Sequence, residues 1–324
     1  MKKPAVYHPA CSKTKNKKMK RSFIIILTGI AFITASCNKN MEVDVPSFQV
    51  SLDPARLVAD TFTYRLGDTT RFIFSGSAGN IAFYSGESGK SYANRSVASR
   101  LGTVMLSFAS KAEWGTQTNT LQVLATNKLA SADSATVVNA DWTDITSRGA
   151  IAVNATVVNS GNIDLTDLVS GADDSLFIAF KYSGVTGTTQ RTWTITNFFV
   201  KNILPDQQYT VASLATDASY WLRYGNVWTP ASARWTATAS DLKIIGGGGT
   251  SPTNTSWIVS KPMYVGRIAP DVSTGIKSIN EPDKEGHNYM YTAAGIYTAT
   301  FVAFNHTLDE EKSVMREFII KVIP

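Results

Sequence analysis

The feature that most constrains the fold is a recurrence of short apolar runs between turn-forming residues. From residue 48 onward, runs rich in Val, Ile, Thr, Tyr, Phe and Trp alternate with clusters of Gly, Asn, Asp and Ser. Several runs have period two, such as Tyr297, Ala299, Phe301 and Ala303, which places these side chains on one face of a strand. No long stretch has the period of an α-helix. The sequence therefore predicts an all-β fold.

Neither end of this region contains enough strands to close a sheet. Residues 48–98 contain three predicted strands with turns but lack the strands that would cover their edges. Residues 280–324 contain two strong strands with no partner nearby in sequence. Because chain termini commonly lie close together, we expect the two ends to form one split Ig-like sandwich. Residues 99–270 are then expected to form a second β domain inserted within it.

The N-terminal residues 1–36 have the pattern of an export signal rather than of structure. A basic pair, Lys20-Arg21, precedes a short apolar run that ends in Thr-Ala-Ser before Cys37. The run is shorter than the roughly 20 apolar residues that a spanning helix needs. The Thr-Ala-Ser-Cys sequence resembles the lipobox of bacterial lipoproteins, which implies lipid attachment at Cys37. Residues 37–47 are mostly polar and contain a proline, so they are predicted to form a tether. A plain signal peptide ending in Cys is the alternative, and Met19 is an alternative start to Met1.

The positive charge of the chain belongs to this leader. Without residues 1–36, eight of the 31 basic residues are lost and 23 remain against 25 acidic residues. The basic balance therefore gives no support to nucleic-acid binding, and no nucleic-acid partner is expected. Cys37 would be the only cysteine of the mature chain, so disulfides and cysteine-based metal or redox chemistry are not expected.

Residues 83–92, FYSGESGKSY, come close to a nucleotide-binding loop. A P-loop requires a glycine five positions before Gly89, and Tyr84 stands there instead. The residues that follow do not open a helix, which a phosphate cradle also requires. We interpret the segment as a tight sandwich turn in which Gly86 and Gly89 adopt backbone conformations that other residues avoid.

Catalytic motifs are absent from the mature sequence. Its histidines are His287 and His306, and the patterns of metalloproteases, cysteine proteases and lipases are missing. The chain is therefore predicted not to be an enzyme, although a glycosidase needs only two carboxylates and such a pair stays an alternative. No cofactor is expected except for a structural calcium ion held by turn carboxylates, with solvated turns as the favoured alternative. The calcium candidates are Asp141, Asp144, Asp173 and Asp174.

The densest aromatic stretch is SYWLRYGNVWTPASARW, residues 219–235. Sugar rings present apolar C–H faces that stack on Trp and Tyr, while Arg and Asn form directional hydrogen bonds with hydroxyl groups. The predicted glycan platform consists of Trp221, Arg223, Tyr224, Asn226 and Trp228. Packing in a core is the alternative for these residues. Four further tryptophans lie in strand-like contexts and are expected to be mostly core: Trp114, Trp142, Trp193 and Trp257.

Two groups of motifs resemble known modules. The end segments contain Gly67-Asp68-Thr69, the FYSGESG turn and the His287, Tyr289, Gly295 and Tyr297 pattern, which resemble polycystic-kidney-disease (PKD) domains. The middle, with WTDIT, TWTITNFFVKN and WIVSKP, resembles jelly-roll modules of the choice-of-anchor and cleaved-adhesin kind. Together they resemble a family of surface lipoproteins that accompany starch-utilisation-system (Sus-like) transporters in polysaccharide-utilisation loci.

This resemblance implies a function at the cell surface. The expected protein is an outer-membrane lipoprotein, facing outward, that captures a polysaccharide or oligosaccharide without cleaving it and works beside a Sus-like transporter. An adhesin or structural partner protein without a sugar site is one alternative, and a glycan-active hydrolase is another.

Overall fold

The computed structural model describes residues 42–129, 133–216, 221–225 and 235–324. Over these ranges the chain forms four β-sheets and one short α-helix, so the predicted all-β sandwich class is confirmed. The strands follow from alternation of apolar and polar side chains. In β4, Thr69–Ser75, every second side chain is buried, including Phe72 and Phe74.

Two sheets combine strands from both ends of the chain, and we call this pair the terminal sandwich. The three-stranded sheet has the order β1-β4-β20, with β1 at Gln49–Ser51 and β20 at Gly286–Met290. The other sheet has six strands: β2 Leu57–Val58, β3 Thr61–Arg65, β5 Asn80–Tyr84, β19 Thr274–Lys277, β21 Gly295–His306 and β22 Glu311–Ile323. Its order is β19-β5-β21-β22-β3-β2, antiparallel except for the parallel pair β22–β3.

The core of the terminal sandwich is aromatic and joins residues that are far apart in sequence. The ring of Phe301 lies 4.9 Å from that of Phe72 and 4.6 Å from that of Phe83, measured between centroids. All three side chains are fully or almost fully buried. Burial of apolar surface between the two chain ends therefore stabilises this sandwich.

Two features differ from the boundaries predicted for the terminal sandwich. Strand β19 lies in the segment 271–279, which the prediction left unassigned, and pairs with β5. The described part of the predicted tether is not free in solvent, because Val43 is 5% exposed and its N–H donates to Glu310 Oε2 at 3.3 Å. Pro46 is also buried and Asn305 Nδ2 donates to the carbonyl of Asp44 at 2.8 Å, whereas Val45 is 59% exposed, so part of the segment 42–47 packs against the terminal sandwich. The division of the chain into domains stays a prediction.

The other two sheets form what we call the central sandwich. One sheet has seven strands: β6 Thr103–Glu113, β9 Val158–Asn159, β10 Ile163–Asp164, β12 Thr192–Ile203, β13 Gln208–Ser213, β15 Trp235–Ala237 and β16 Asp241–Ile244. The opposing sheet has six strands: β7 Leu121–Thr126, β8 Thr143–Asp144, β11 Ser175–Gly184, β14 Trp221–Gly225, β17 Asn254–Ser260 and β18 Met263–Tyr264. A large apolar core lies between them, with Phe108 and Phe180 in edge-to-face contact at 5.4 Å.

The sheet that contains β11 is also covered on its outer face. The helix α1, Ser134–Asn139, begins after Asp133, whose carboxylate accepts a hydrogen bond from the N–H of Thr136 at 2.9 Å. Val137 of this helix packs in a satellite cluster with Trp257 and other outward-facing residues of the sheet. Burial on both faces explains why β11 is almost continuously apolar. Short 3-10 turns lie at Pro54–Arg56, Tyr92–Asn94, Thr146–Arg148 and Thr166–Leu168.

Candidate functional site

The first residue of the predicted glycan platform is a core residue. Trp221 is 4% exposed, and its ring lies 5.0 Å from Phe198 and 6.0 Å from Phe180. Strand β14 pairs with β17 and faces the core at this position. A buried indole cannot offer its face to a sugar, so the structure argues against the predicted role of Trp221.

The other described platform residues diverge from Trp221. Strand geometry places Trp221 and Tyr224, three positions apart, on opposite sheet faces. Tyr224 is half-buried in the satellite cluster, and burial raises the pKa of its phenol. Arg223 is exposed. Asn226 and Trp228 lie outside the described residues, and their role stays a prediction, together with those of Arg223 and Tyr224.

A different tryptophan is open to solvent. Strand β6 ends at Glu113 and β7 begins at Leu121, and Trp114 opens the loop between them, residues 114–120, WGTQTNT. We call this segment the Trp114 loop. The side chain of Trp114 is 74% exposed, so the expectation that it is core was wrong. Trp193 and Trp257, at 6% and 4% exposed, are core residues as expected, and Trp142 is half-buried.

The backbone of the Trp114 loop is strained. Trp114 has a φ of +58° and Asn119 a φ of +55°, both in the left-handed region that side chains with a Cβ disfavour. Gly115, with a φ of +57°, also approaches the neighbouring segment so closely that a Cβ there would collide with the backbone carbonyl of Thr189. A glycine is therefore required at this position.

Hydrogen bonds hold the Trp114 loop against the segment 185–191. The side-chain amide of Gln117 donates to the carbonyl of Val185 at 2.6 Å and accepts from its N–H at 3.0 Å. The Nε of Arg191 donates to the carbonyl of Gln117 at 3.2 Å. At the end of the loop, the indole N–H of Trp193 donates to Thr120 Oγ1 at 2.8 Å. These contacts hold the loop from several sides.

A cavity of about 270 Å³ opens beside the loop. Its size is near the lower end of the range for small-molecule sites. Its floor is apolar, with Ile151, Ala152 and Trp193, and its rim carries the exposed polar residues Thr118 and Asn119. The remaining lining residues are Ala112, Gln117, Thr120, Leu121, Thr146, Val153 and Arg191. An apolar floor with a polar rim is the composition of a ligand site.

The calcium candidates do not converge on one point. Burial alone would raise the pKa of Asp144, but hydrogen bonds from Thr146 and Gln122 outweigh it and lower this pKa. Asp141 pairs with Lys128 at 3.4 Å, and Asp173 accepts a hydrogen bond from Ser99 at 3.4 Å. Asp174 accepts from backbone N–H groups of its own turn. In the described ranges, no three His, Cys, Asp or Glu residues are arranged to hold a metal ion, and calcium binding stays a prediction.

The segment 83–92 forms the predicted turn. Gly86 and Gly89 have φ values of +83° and +77°, and the N–H of Gly86 donates to the carbonyl of Lys90 at 2.9 Å. A Cβ at Gly86 would lie 2.7 Å from the backbone N of Thr298. The interpretation as a tight sandwich turn is therefore confirmed.

A second surface hollow, of about 550 Å³, lies next to this turn. Glu87 lines it, and the carboxylate of Glu87 accepts hydrogen bonds from the hydroxyl groups of Tyr289, Ser85 and Thr292. These bonds fasten the turn to β20 and to the residues after it. The carboxylate of Glu87 is thus engaged in holding the terminal sandwich together.

The proposed lipidation site, Cys37, lies outside the described residues. Within the described ranges, no helix has the length and apolar character needed to cross a membrane.

The chain matches one family model. The family is described as a domain of unknown function (DUF5017), and the match covers residues 36–220, more than half of the chain. The matched region contains the Trp114 loop and the whole lining of the 270 Å³ cavity, and it ends before Trp221. No curated protein and no solved structure matches the chain.

Proposed function

The chain belongs to the DUF5017 family, and from this premise we propose that it is a non-catalytic glycan-binding protein whose binding site is the Trp114 loop with its cavity. The observation that carries the proposal is the exposed indole of Trp114, which opens a loop whose residues 117–120 line a cavity with a polar rim. Trp114 itself does not belong to the described lining of the cavity. Indole faces stack on the apolar C–H faces of sugar rings.

Trp114 contributes little to folding where it stands. An indole that is 74% exposed gains little from burial, and its left-handed backbone costs about 1–2 kcal/mol. Strained, exposed residues that the surrounding structure holds in place are concentrated at binding and active sites. The position of Trp114 is therefore better explained by contact with a ligand than by stability.

The lining of the cavity supports binding without cleavage. Glycoside hydrolysis by the usual mechanisms requires two carboxyl groups that flank the scissile bond. No Asp, Glu or His belongs to the described lining of the cavity. The side chains that remain can stack and form hydrogen bonds, which is sufficient for capture.

The proposed location is the outer membrane, facing outward. It is supported by the lipobox-like sequence before Cys37 and by the resemblance to lipoproteins that work beside Sus-like transporters. Replacing Cys37 by Ala is expected to release the protein from membranes and to abolish lipid labelling. A Cys37→Ala variant that stays membrane-bound and lipid-labelled would refute the lipidation site.

Affinity electrophoresis against a polysaccharide panel, with an assay for reducing-sugar release, tests the proposed function. We expect at least one polysaccharide to retard the wild-type protein without product release, and Trp114→Ala to migrate as in a gel without polysaccharide. Product release would indicate a hydrolase. The absence of any retardation would favour an adhesin or structural partner protein. Retardation that persists in Trp114→Ala would show that the sugar binds elsewhere.

A further inference from the structure

The 270 Å³ cavity carries a single ionisable side chain in its described lining, that of Arg191. The guanidinium of Arg191 donates from Nε to the carbonyl of Gln117 at 3.2 Å and from Nη1 to the carbonyl of Ala112 at 3.4 Å. Both acceptors are neutral. The positive charge of the cavity is therefore not neutralised by these contacts.

Three other arginines in the described ranges are paired with acids: Arg56, Arg100 and Arg148. Arg100 forms a two-bond contact with Asp206 at 3.0 and 3.2 Å, and Arg148 forms one with Asp167 at 2.7 and 2.8 Å. Among the described residues, no carboxylate lies within ion-pair distance of Arg191. Arg191 is also half-buried, so solvent screens its charge less than it would at the open surface.

The two carbonyl contacts orient the guanidinium and leave further N–H groups unused. A planar guanidinium held in this way is suited to an oxyanion, because two parallel N–H groups can bind two oxygens of one carboxylate or sulfate. A charge-assisted pair of this kind is stronger than a hydrogen bond to a neutral sugar hydroxyl. An uncharged glycan would leave the charge of Arg191 without a counter-charge.

We propose that the cavity binds an anionic glycan, with the acidic group of the sugar on Arg191 and a sugar ring on Trp114. This inference rests on the proposed glycan-binding function and specifies its ligand class. The anionic group is a uronate carboxylate or a sulfate ester. A cavity of this size accommodates a short saccharide unit rather than a long stretch of chain.

The binding test compares acidic polymers with their neutral counterparts. The polymers are polygalacturonate and alginate, each beside its methyl-esterified form, and a sulfated galactan beside its desulfated form. We expect at least one acidic polymer to bind about tenfold or more tightly than its neutral counterpart, and the difference to shrink at high salt. Equal or tighter binding of the neutral forms would overturn the anionic inference and leave the glycan-binding function intact. No binding of any polymer would overturn both.

A negative charge introduced into the cavity tests whether the acidic polymer binds there. Thr118 is exposed and lines the cavity, so Thr118→Glu should fold normally and repel an acidic ligand. We expect it to weaken binding of the acidic polymer by about tenfold or more. Leu308→Glu makes the same charge change at a fully exposed position of the terminal sandwich and is expected to leave binding unchanged. Equal losses in both variants would show that only net charge matters and would overturn the site.

Arg191→Gln tests directly whether Arg191 binds the acidic group. It removes the charge and is expected to reduce the acidic-to-neutral preference to about one. Because Arg191 also holds the Trp114 loop, the unfolding of this variant must be measured first. If it does not fold, the Thr118→Glu and Leu308→Glu pair still decides the question.

Discussion

The Trp114 loop and strand β14 each contain a tryptophan that could be a surface residue or a core residue. In the structure, one of the two is exposed and the other is buried. Trp114 is 74% exposed in a strained loop, whereas Trp221 is 4% exposed in a regular strand. The aromatic density around Trp221 is far higher. The comparison teaches that local backbone geometry, rather than aromatic density, decides which indole is available to a ligand.

The reason is that the sheet that contains β14 is covered on both faces. Trp221 of β14 packs in the core of the central sandwich, and Tyr224 on the opposite face packs in the satellite cluster near α1. Aromatic residues in such a strand are buried in either direction. A loop at the end of a sandwich has no second layer above it, so its side chains remain exposed.

Removing the buried indole is the substitution with the largest expected effect on stability. Trp221→Ala should lower the free energy of unfolding by about 3–5 kcal/mol, because it leaves a cavity between Phe180 and Phe198. Urea denaturation measures this loss. Trp114→Ala, the matched substitution at the exposed position, should change the free energy of unfolding by about 0.5 kcal/mol or less. Equal losses at the two positions would break the comparison.

The required glycine of the Trp114 loop gives the next largest effect. Gly115→Ala places a methyl group against the carbonyl of Thr189 in a left-handed conformation and should cost about 1–3 kcal/mol. Gly161→Ala is the control, because Gly161 also has a positive φ, +72°, but has open space around its Cβ position. The difference between the two, measured by thermal unfolding, isolates the contact with Thr189. No difference would mean that the loop is not held as described.

Relief of the backbone strain at Trp114 should have a smaller effect, and it should stabilise the protein rather than destabilise it. Trp114→Gly removes the left-handed strain of about 1–2 kcal/mol but adds about 0.5–1 kcal/mol of chain entropy in the unfolded state. The variant should therefore unfold at the same or slightly higher urea concentration than Trp114→Ala, while neither binds the glycan. A clear loss of stability relative to Trp114→Ala would contradict the left-handed backbone.

The smallest expected effect is a pH dependence that separates stability from binding. Burial lowers the pKa of His287 in the terminal sandwich, and its Nε2 has no hydrogen-bond partner among the described residues. Because the folded-state pKa lies below the unfolded value of about 6.5, the contribution to stability is present above pH 6.5. It is lost progressively as the pH falls below that value and through the folded-state pKa.

Unfolding measured between pH 7 and pH 5 tests this expectation. The wild type should lose stability over this interval, and His287→Phe, which keeps an aromatic ring beside Phe83 and Phe301, should lose less. Glycan affinity should not follow the same curve, because His287 lies in β20 of the terminal sandwich and does not line the 270 Å³ cavity. A wild type and a His287→Phe variant with identical pH profiles would contradict the role of His287.

Much of the fold was predictable from local pattern. Period-two alternation predicted the all-β class, and the glycines of FYSGESGKSY predicted the turn, because both signals lie within a few residues. The docking of residues 42–47 was missed, although the spacing of Val43, Pro46 and Phe48 is a readable apolar signal. It was missed because the polar composition of residues 38–47 and their proline indicated a tether, and the few apolar side chains among them were not weighed.

The candidate site was less predictable because it depends on contacts between distant segments. The turn residues of WGTQTNT could have indicated that Trp114 lies in a loop. The cavity itself could not be read from the sequence, since it requires the segment 185–191 to pack beside that loop. Similarly, no local signal separates Arg191 from arginines that are paired with acids.

The central claim is that a glycan contacts Trp114, and hydroxyl-radical footprinting with mass spectrometry tests it most directly. The wild-type protein is oxidised with and without a saturating polysaccharide that retards it in gels. The account predicts that oxidation of Trp114, which is 74% exposed, falls strongly with ligand, while that of Tyr297 in the terminal sandwich is unchanged. Unchanged oxidation of Trp114 together with protection of residues 223–228 would contradict the account and favour the originally predicted platform.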